Sequence, residues 1–196
     1  LMASPKRAVY TELLKQVEAL IDGEDDWVCV MATVAAEVHQ ALPYSHWTGI
    51  YRVSPDTPNL LVIGPYQGGH GCLRIKFAKG ICGAAATSRE TQLVPDVHAI
   101  PSHIACSSST NAEIVVPIIT PGGQLLGVLD LDSDDFGAFD EEDQRGLEKL
   151  CDLIAAGPAA ARAPLPPTQP LPPDPGMTQV DASDVEEEEE EEDAPV

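Results

Sequence analysis

The segment Glu113–Leu131, EIVVPIITPGGQLLGVLDL, predicts the antiparallel sheet on which the rest of the fold depends. Two runs rich in apolar and β-branched residues flank Pro121-Gly122-Gly123, a tight-turn signal, so we expect a β-hairpin with strands over 113–120 and 124–131. Pro117 has no backbone N–H to donate within a sheet, which predicts a local edge or a bulge at that position.

The elements predicted around this hairpin indicate an α+β fold. Upstream, we expect short strands over 47–53, 60–63, 73–77 and 92–94, with an Ala-rich helix over 80–88. Longer helices are predicted over 5–21 and 26–42, and a last helix begins after Phe139, with Asp140 as its N-cap and Gly157 as its stop. This order favours an antiparallel sheet covered on one face by the first, second and last helices.

Composition divides the chain into a predicted domain over 1–157 and a disordered tail over 158–196. The chain carries a formal charge of -21, and after Arg162 it has 11 acidic residues and no lysine or arginine. The proline-rich and acidic tail lacks the apolar surface needed to offset its ordering entropy. Both parts are acidic and repel phosphate backbones and anionic lipids, so neither nucleic acid nor a membrane is an expected partner.

Several features favour a cytoplasmic location. The sequence has no apolar run of the roughly 20 residues that span a bilayer and no apolar core of a signal peptide near its start. Its five cysteines are an odd number, which argues against a closed disulfide framework. Cys29 and Cys151 fall within apolar helical segments, where we expect them to be buried packing residues.

Three cysteines lie outside those helices, in the loop-rich stretch over 64–113: Cys72, Cys82 and Cys106. Together with His70 and His103 they could supply zinc ligands, but the gaps are long and unequal and no CxxC motif occurs. We therefore predict no metal site and no bound cofactor. Cys106 precedes the polar run Ser107–Asn111, a poor setting for a packing residue, which favours a redox-active or nucleophilic thiol there.

The hairpin contributes three carboxylates. Glu113 opens one strand, while Asp130 and Asp132 alternate on the other and so face the same side of the sheet. They form either a solvated strand end or a site for a cation, such as a substrate ammonium or a metal. Trp47 and Tyr51 also share one face of their strand, either as core residues or as walls of a ligand pocket.

Several segments resemble the free methionine-(R)-sulfoxide reductases, a family of GAF-domain enzymes. The matching motifs are WTGIYRV (47–53), GICG (80–83), LVPDVH (93–98), HIAC (103–106) followed by EIVVP (113–117), and GVLDLDS (127–133). The resemblance covers roughly residues 5–157. It implies a GAF-like central antiparallel sheet of about six strands with helices packed on one face.

The resemblance also implies a thiol mechanism. Cys106 corresponds to the cysteine that attacks the sulfoxide sulfur, releases methionine and becomes a sulfenic acid. Cys72 corresponds to the resolving cysteine that forms a disulfide with it, and Cys82 to a third family cysteine with a secondary or alternative role. Thioredoxin or a related dithiol protein is the implied external reductant.

Substrate recognition follows from the same resemblance. Trp47 and Tyr51 correspond to aromatic walls around the methyl-sulfoxide end, and Glu113, Asp130 and Asp132 to the pocket carboxylates. A carboxylate cluster suits the ammonium of the free amino acid, which a peptide-bound methionine sulfoxide lacks except at an N-terminus. The alternative is a non-catalytic GAF module that binds a small ligand and signals; the oligomeric state stays open, a homodimer included.

Overall fold

The computed structural model describes residues 5–100 and 109–166. Four α-helices and six strands make up the main elements of this part of the chain. In chain order they are α1 (Pro5–Leu20), α2 (Trp27–Ala41), β1 (Trp47–Val53), β2 (Leu60–Gln67), β3 (Arg74–Lys76), α3 (Gly80–Ser88), β4 (Gln92–Val94), β5 (Ala112–Ile119), β6 (Leu125–Ser133) and α4 (Glu141–Ala156). Short 3-10 helices occupy Val97–Ala99 and Ala160–Arg162.

The six strands form one sheet in the order β3-β2-β1-β6-β5-β4, and every neighbouring pair is antiparallel. The predicted hairpin is β5–β6, which forms the middle of the sheet with β1. The α+β fold with an antiparallel sheet of about six strands is therefore confirmed. Pro117 pairs with Val128 of β6 but lies beyond the last β4 partner, Val115, and a register shift follows at Ile118/Ile119.

The helices form two unequal layers. Buried side chains of α1, α2 and α4 share one core with Ile50, Ile114 and Leu129 of the sheet, so the three long helices cover one face as expected. The short α3 differs, because its Ile81 and Cys82 pack into a second core with Trp47, Tyr51 and other residues of the opposite face. The pocket described below lies on this opposite face.

Asp143, in the first turn of α4, holds α1 and α4 together. Asp140 and Asp143 complete a capping box at the helix start. The hydroxyls of Tyr10 and Tyr44 donate to Asp143 Oδ1 over 2.9 and 2.5 Å, and Lys6 Nζ donates to Oδ2 over 2.5 Å. A buried carboxylate with this many donors stabilises the fold, since each of its lone pairs has a partner.

The expected burial of Cys29 is wrong. Cys29 is exposed rather than buried, because it lies on the solvent side of α2 while Trp27, Val30 and Met31 face the core. The packed fold also continues past the predicted boundary at 157: Ala159 and Ala160 are buried against α4, and Arg162 pairs with Asp25. Most of the predicted tail, residues 167–196, lies outside the described residues, and the proposed domain division stays a prediction.

Within residues 5–100 and 109–166, no helix combines the length and apolar character needed to cross a membrane.

Candidate active site

The strand register brings the three predicted carboxylates to one face of the sheet. Asp132 of β6 pairs with Glu113 on one side and with Trp47 on the other. Asp130 lies two residues earlier on β6 and is paired with Gly49 and Val115. Since alternate residues of a strand share a face, Asp130, Asp132 and Trp47 project toward α3.

Aromatic side chains of β1 and β2 form the neighbouring wall. The Trp47 ring stacks on Tyr51, with centroids 5.8 Å apart and planes at 28°, and on Tyr66 at 5.4 Å and 20°. Gly49 makes this possible, because a Cβ there would clash with the Trp47 ring and with Tyr66 Cβ. A glycine at the middle of β1 thus lets the indole lie against the sheet.

The loop between β2 and β3, which carries Cys72, packs on these rings. Trp47 Nε1 donates to the carbonyl oxygen of Gly69 over 3.1 Å. An added Cβ at Gly71 would lie 2.9 Å from the Tyr51 hydroxyl oxygen, so this backbone passes close to the aromatic wall. Cys72 is partly buried and disulfide-bonded, whereas Cys29, Cys82 and Cys151 are the free thiols among the described cysteines.

The helix α3 covers the pocket on the face of the sheet opposite α1, α2 and α4. Its glycines permit this: Gly80 adopts a positive φ of 61°, and a Cβ at Gly83 would clash with the carbonyl oxygen of Lys76. The close approach buries Cys82, whose Sγ donates to Glu113 Oε1 at 4.0 Å. The thiol predicted from the GICG motif therefore lies among the carboxylates.

Burial raises the pKa of each carboxyl in the cluster, and the charge of Asp130 adds to the rise at Glu113 and Asp132. Desolvation is the main cause at Glu113, followed by the charges of Asp130 and Asp132. Desolvation raises the pKa of Asp130 to about 7, although hydrogen bonds with Cys82 and Glu113 oppose the shift. At Asp132 burial again leads, with Asp130 and Asp134 adding to the rise in pKa. Crowded carboxyls in a poorly solvated site favour protonated forms until a cation binds.

The Cys82 thiol responds to the same environment. Burial raises its pKa well above the usual value, and Asp130 and Glu113 add to the effect. Cys82 is therefore a protonated donor in this state rather than a thiolate nucleophile. Its buried location agrees with a role other than attack on the substrate.

These side chains line one pocket with about 500 Å³ of space, part of it open to solvent. Six of the eight predicted site residues meet there: Trp47, Tyr51, Cys82, Glu113, Asp130 and Asp132. Cys72 lies beside it, next to the lining residue Gly71, and Cys106 lies outside the described residues. The functional roles of these residues stay predictions.

The pocket lining also includes residues that were not predicted as substrate-binding or catalytic from the sequence. Lys79 and the first turn of α3 contribute to the pocket, as do His70 and the buried Thr110. The signal for Lys79 was present, since it directly precedes the GICG segment that starts α3. A cation next to a helix N-terminus is a favourable setting for a carboxylate, a pairing that spacing alone does not indicate.

The zinc set considered from the sequence is not the grouping that the structure presents among its described residues. There, the group with ligand atoms close enough to share a metal ion is Cys82, Glu113 and Asp130, which lie within 4.8 Å of one another. All three are buried. The pocket therefore offers one sulfur and several oxygen donors for a positive ligand.

Comparisons with known proteins show the family to which the chain belongs. A family model described as the GAF domain matches residues 26–157. The free methionine-R-sulfoxide reductase of Saccharomyces cerevisiae is 42% identical over 153 residues, which cover 76% of this chain and 85% of the yeast protein. The enzyme of that name from Escherichia coli is 39% identical over 145 residues, covering 74% of this chain and 86% of that protein.

A solved structure gives the same relationship. The free methionine-R-sulfoxide reductase from Neisseria meningitidis, in complex with its substrate, superimposes with a TM-score of 0.76 at 41% identity, covering 83% of this chain and 95% of that one. The GAF-domain match over residues 26–157 includes all six strands and α3. The chain belongs to the free methionine-R-sulfoxide reductase family of GAF-domain oxidoreductases.

Proposed function

We propose that the protein reduces free L-methionine-(R)-sulfoxide to L-methionine, with Cys106 as nucleophile, Cys72 as resolving thiol and a thioredoxin-like dithiol protein as reductant. One observation carries this proposal: a pocket with three clustered carboxyls and stacked aromatic rings lies beside a disulfide-bonded cysteine, Cys72. A binding-only GAF module has no use for that combination. The relatives named above supply the reaction class.

The carboxyl cluster selects the free amino acid by charge. Glu113 and Asp130 are 6% and 5% exposed, so a peptide amide placed against them would leave their charges uncompensated. The ammonium of free methionine sulfoxide supplies three N–H donors and a positive charge at that point. Substrate binding therefore favours the ionised carboxylates that burial disfavours in the empty pocket.

The remaining pocket walls fit the other two parts of the substrate. Trp47 and Tyr51 offer flat apolar surfaces against which the methyl group and side chain of the sulfoxide can pack. Lys79 and the N-terminus of α3 offer positive charge and free N–H groups to the substrate carboxylate. An amino acid held at both of its charged ends presents its sulfoxide in a fixed orientation.

The reaction requires one nucleophile and one proton donor. The Cys106 thiolate attacks the sulfoxide sulfur while the sulfoxide oxygen is protonated; the oxygen is transferred to Cys106 as a sulfenic acid and methionine leaves reduced. A carboxyl kept protonated by crowding, among Glu113, Asp130 and Asp132, is placed to donate that proton. Sulfur of the substrate gains the two electrons that the cysteine loses.

Resolution then closes the cycle. The Cys72 thiol attacks the sulfenic sulfur, water leaves, and a disulfide forms that thiol–disulfide exchange with a thioredoxin-like protein reduces. The oxidised state of Cys72 supports this step. The contact of the Cys72 loop with Trp47 keeps the resolving thiol next to the pocket.

Single-turnover assays of the prereduced protein test the assignment. We expect Cys106→Ser to release no methionine from the sulfoxide, whereas Cys72→Ser releases up to one equivalent and fails to recycle with thioredoxin. Cys29→Ser, at an exposed thiol far along the chain from the site, is the matched control and keeps full turnover. Methionine formed by Cys106→Ser would contradict the nucleophile assignment.

A further inference from the structure

We propose that Cys82, Glu113 and Asp130 form a binding site for one thiophilic divalent cation of the Zn²⁺ type, and that the bound ion excludes methionine sulfoxide from the pocket. The site is made from three neighbouring elements, with Cys82 on α3, Glu113 on β5 and Asp130 on β6. Such an ion would act as a reversible inhibitor. Its binding does not depend on the proposed reductase activity.

The distances suit a small cation. One potential ligand atom from each residue lies within 4.8 Å of the other two, and Cys82 Sγ is 4.0 Å from Glu113 Oε1. Zn–S and Zn–O bonds of about 2.3 and 2.1 Å place sulfur and oxygen ligands about 3.6 Å apart in a tetrahedral site. The two side chains therefore need to approach by about 0.4 Å, which side-chain rotation can supply.

The environment of Asp130 is a second observation that favours a bound cation. Asp130 Oδ1 is buried and has no hydrogen-bond partner in the described part of the chain, although the residue is only 5% exposed. An unsatisfied buried acceptor is costly, and a cation is a partner that relieves its lost hydration. Asp130 lines the same pocket as the other two ligands.

The donor set distinguishes a thiophilic metal from the substrate. An ammonium group uses only the carboxylate oxygens and gains nothing from the sulfur of Cys82. The proposed Cys106–Cys72 chemistry does not require Cys82, and its Sγ is buried against Glu113. Zn²⁺ and Cd²⁺ accept thiolate with carboxylate ligands, whereas Mg²⁺ and Ca²⁺ select oxygen alone. The sulfur therefore decides the class of ion.

Occupancy by such an ion is incompatible with substrate binding. Asp132 lines the same pocket and can supply a fourth oxygen, directly or through water. The ion would then hold the carboxylates that the ammonium of methionine sulfoxide is proposed to use. Cys82 releases its proton when the metal–thiolate bond forms, so binding also releases acid.

Titration of the full-length oxidised protein with Cd²⁺ tests the site, because a Cd²⁺–thiolate bond has an ultraviolet charge-transfer band that carboxylates lack. In this form Cys72 is disulfide-bonded, which leaves Cys29, Cys82 and Cys151 as the described free thiols. We expect one equivalent of Cd²⁺ to produce the band. The acidic tail binds cations through oxygen alone and gives no band.

Two variants and a control assign the band. Cys82→Ser should lose it, whereas Cys29→Ser should keep it. Asp130→Asn retains every thiol and should weaken Cd²⁺ binding by more than about 10-fold, since even a group that only supports a metal ligand typically contributes 10- to 100-fold in affinity. Circular dichroism of each variant establishes that it is folded, and if Cys82→Ser fails to fold the Asp130→Asn titration decides.

Competition separates this proposal from the proposed function. Added methionine sulfoxide should displace Cd²⁺ and abolish the band, and Zn²⁺ should inhibit turnover competitively with the sulfoxide. A band that persists in Cys82→Ser, or an affinity unchanged in Asp130→Asn, overturns the metal site. A protein that binds Cd²⁺ as described but reduces no sulfoxide contradicts the reductase proposal and leaves the metal site standing.

Discussion

Replacing Asp130 with asparagine should remove a pH-dependent destabilisation of the substrate-free protein while it weakens substrate binding. Burial raises the pKa of Asp130 from 3.8 to about 7, and the residue is almost fully buried with one oxygen lacking a partner in the described structure. A carboxyl whose pKa is higher in the folded state binds more protons there than in the unfolded state. Its stabilising effect is therefore fully present below about pH 4 and is lost as the pH rises through about 7.

The size of the effect follows from the shift. Three pKa units correspond to roughly 4 kcal/mol at about 1.4 kcal/mol per unit. Of that penalty, about 2 kcal/mol develops between pH 5.5 and 8.5, since the unfolded aspartate is already ionised at the lower pH. Asparagine does not ionise, so the variant has no such pH-dependent penalty. The unfolding free energy of Asp130→Asn minus that of the wild type should therefore be about 2 kcal/mol larger at pH 8.5 than at pH 5.5. Any pH-independent cost of burying the amide cancels in this comparison.

Urea unfolding of oxidised wild-type and Asp130→Asn protein at both pH values, with a chelator present, measures this increase. Asp22→Asn, at an exposed position after α1, reports the effect of net charge alone. At neutral pH the same Asp130→Asn variant should lose roughly 10- to 150-fold in kcat/KM, the range for removing a hydrogen bond to a charged group. A stability difference that stays constant or shrinks as the pH rises would refute the reasoning.

Two further substitutions test the packing around the site and the core. Trp47→Ala removes the stacking on Tyr51 and the hydrogen bond to the Cys72 loop, so kcat/KM for the sulfoxide should fall at least roughly tenfold. Trp47→Phe keeps an aromatic ring and should retain most activity. Equal losses of kcat/KM in the two variants would argue against an aromatic wall. Gly146→Ala brings a methyl group into the Tyr10 ring and should lower the unfolding free energy by about 1–3 kcal/mol in a urea titration. Gly122→Ala is the control and should leave the unfolding free energy unchanged, because the nearest atom to its added methyl group lies 3.7 Å away.

The periodic elements were predictable from the sequence because their signals are local. The bounds of β1, α3 and β4 agree with the prediction, and Asp140 is the N-cap of α4 as expected. These features depend on alternation, helical spacing or capping chemistry within a few residues. The hairpin around Pro121 was equally clear, and it fixed the antiparallel character of the sheet.

What the sequence could not supply were contacts between distant segments. Cys29 lies in an apolar run, and only the direction in which α2 packs decides that it faces solvent. The position of α3 on the opposite face of the sheet depends on the close approach of Gly83 to β3. Lys79 reaches the pocket through the same packing, although its place directly before the GICG segment is visible in the sequence.

The carboxyl cluster shows both sides of this distinction. Alternation along β6 predicted that Asp130 and Asp132 share a face, and the register adds Glu113 from β5 and Trp47 from β1. The position of Cys82 in the cluster depends on tertiary packing, because 31 residues separate it from Glu113 along the chain. The unpartnered oxygen of Asp130 likewise emerges only when all neighbours are in place.

Consumption of free methionine sulfoxide tests the central claim most directly. Purified protein, thioredoxin, thioredoxin reductase and NADPH are supplied with the free R-epimer, the free S-epimer or a peptide with an internal methionine sulfoxide, and NADPH oxidation is followed. We expect turnover with the free R-epimer, little with the S-epimer and none with the peptide, and loss of all turnover in Cys106→Ser. Equal rates with the peptide and the free amino acid would contradict it, because the carboxyl pocket would then have no part in choosing the substrate.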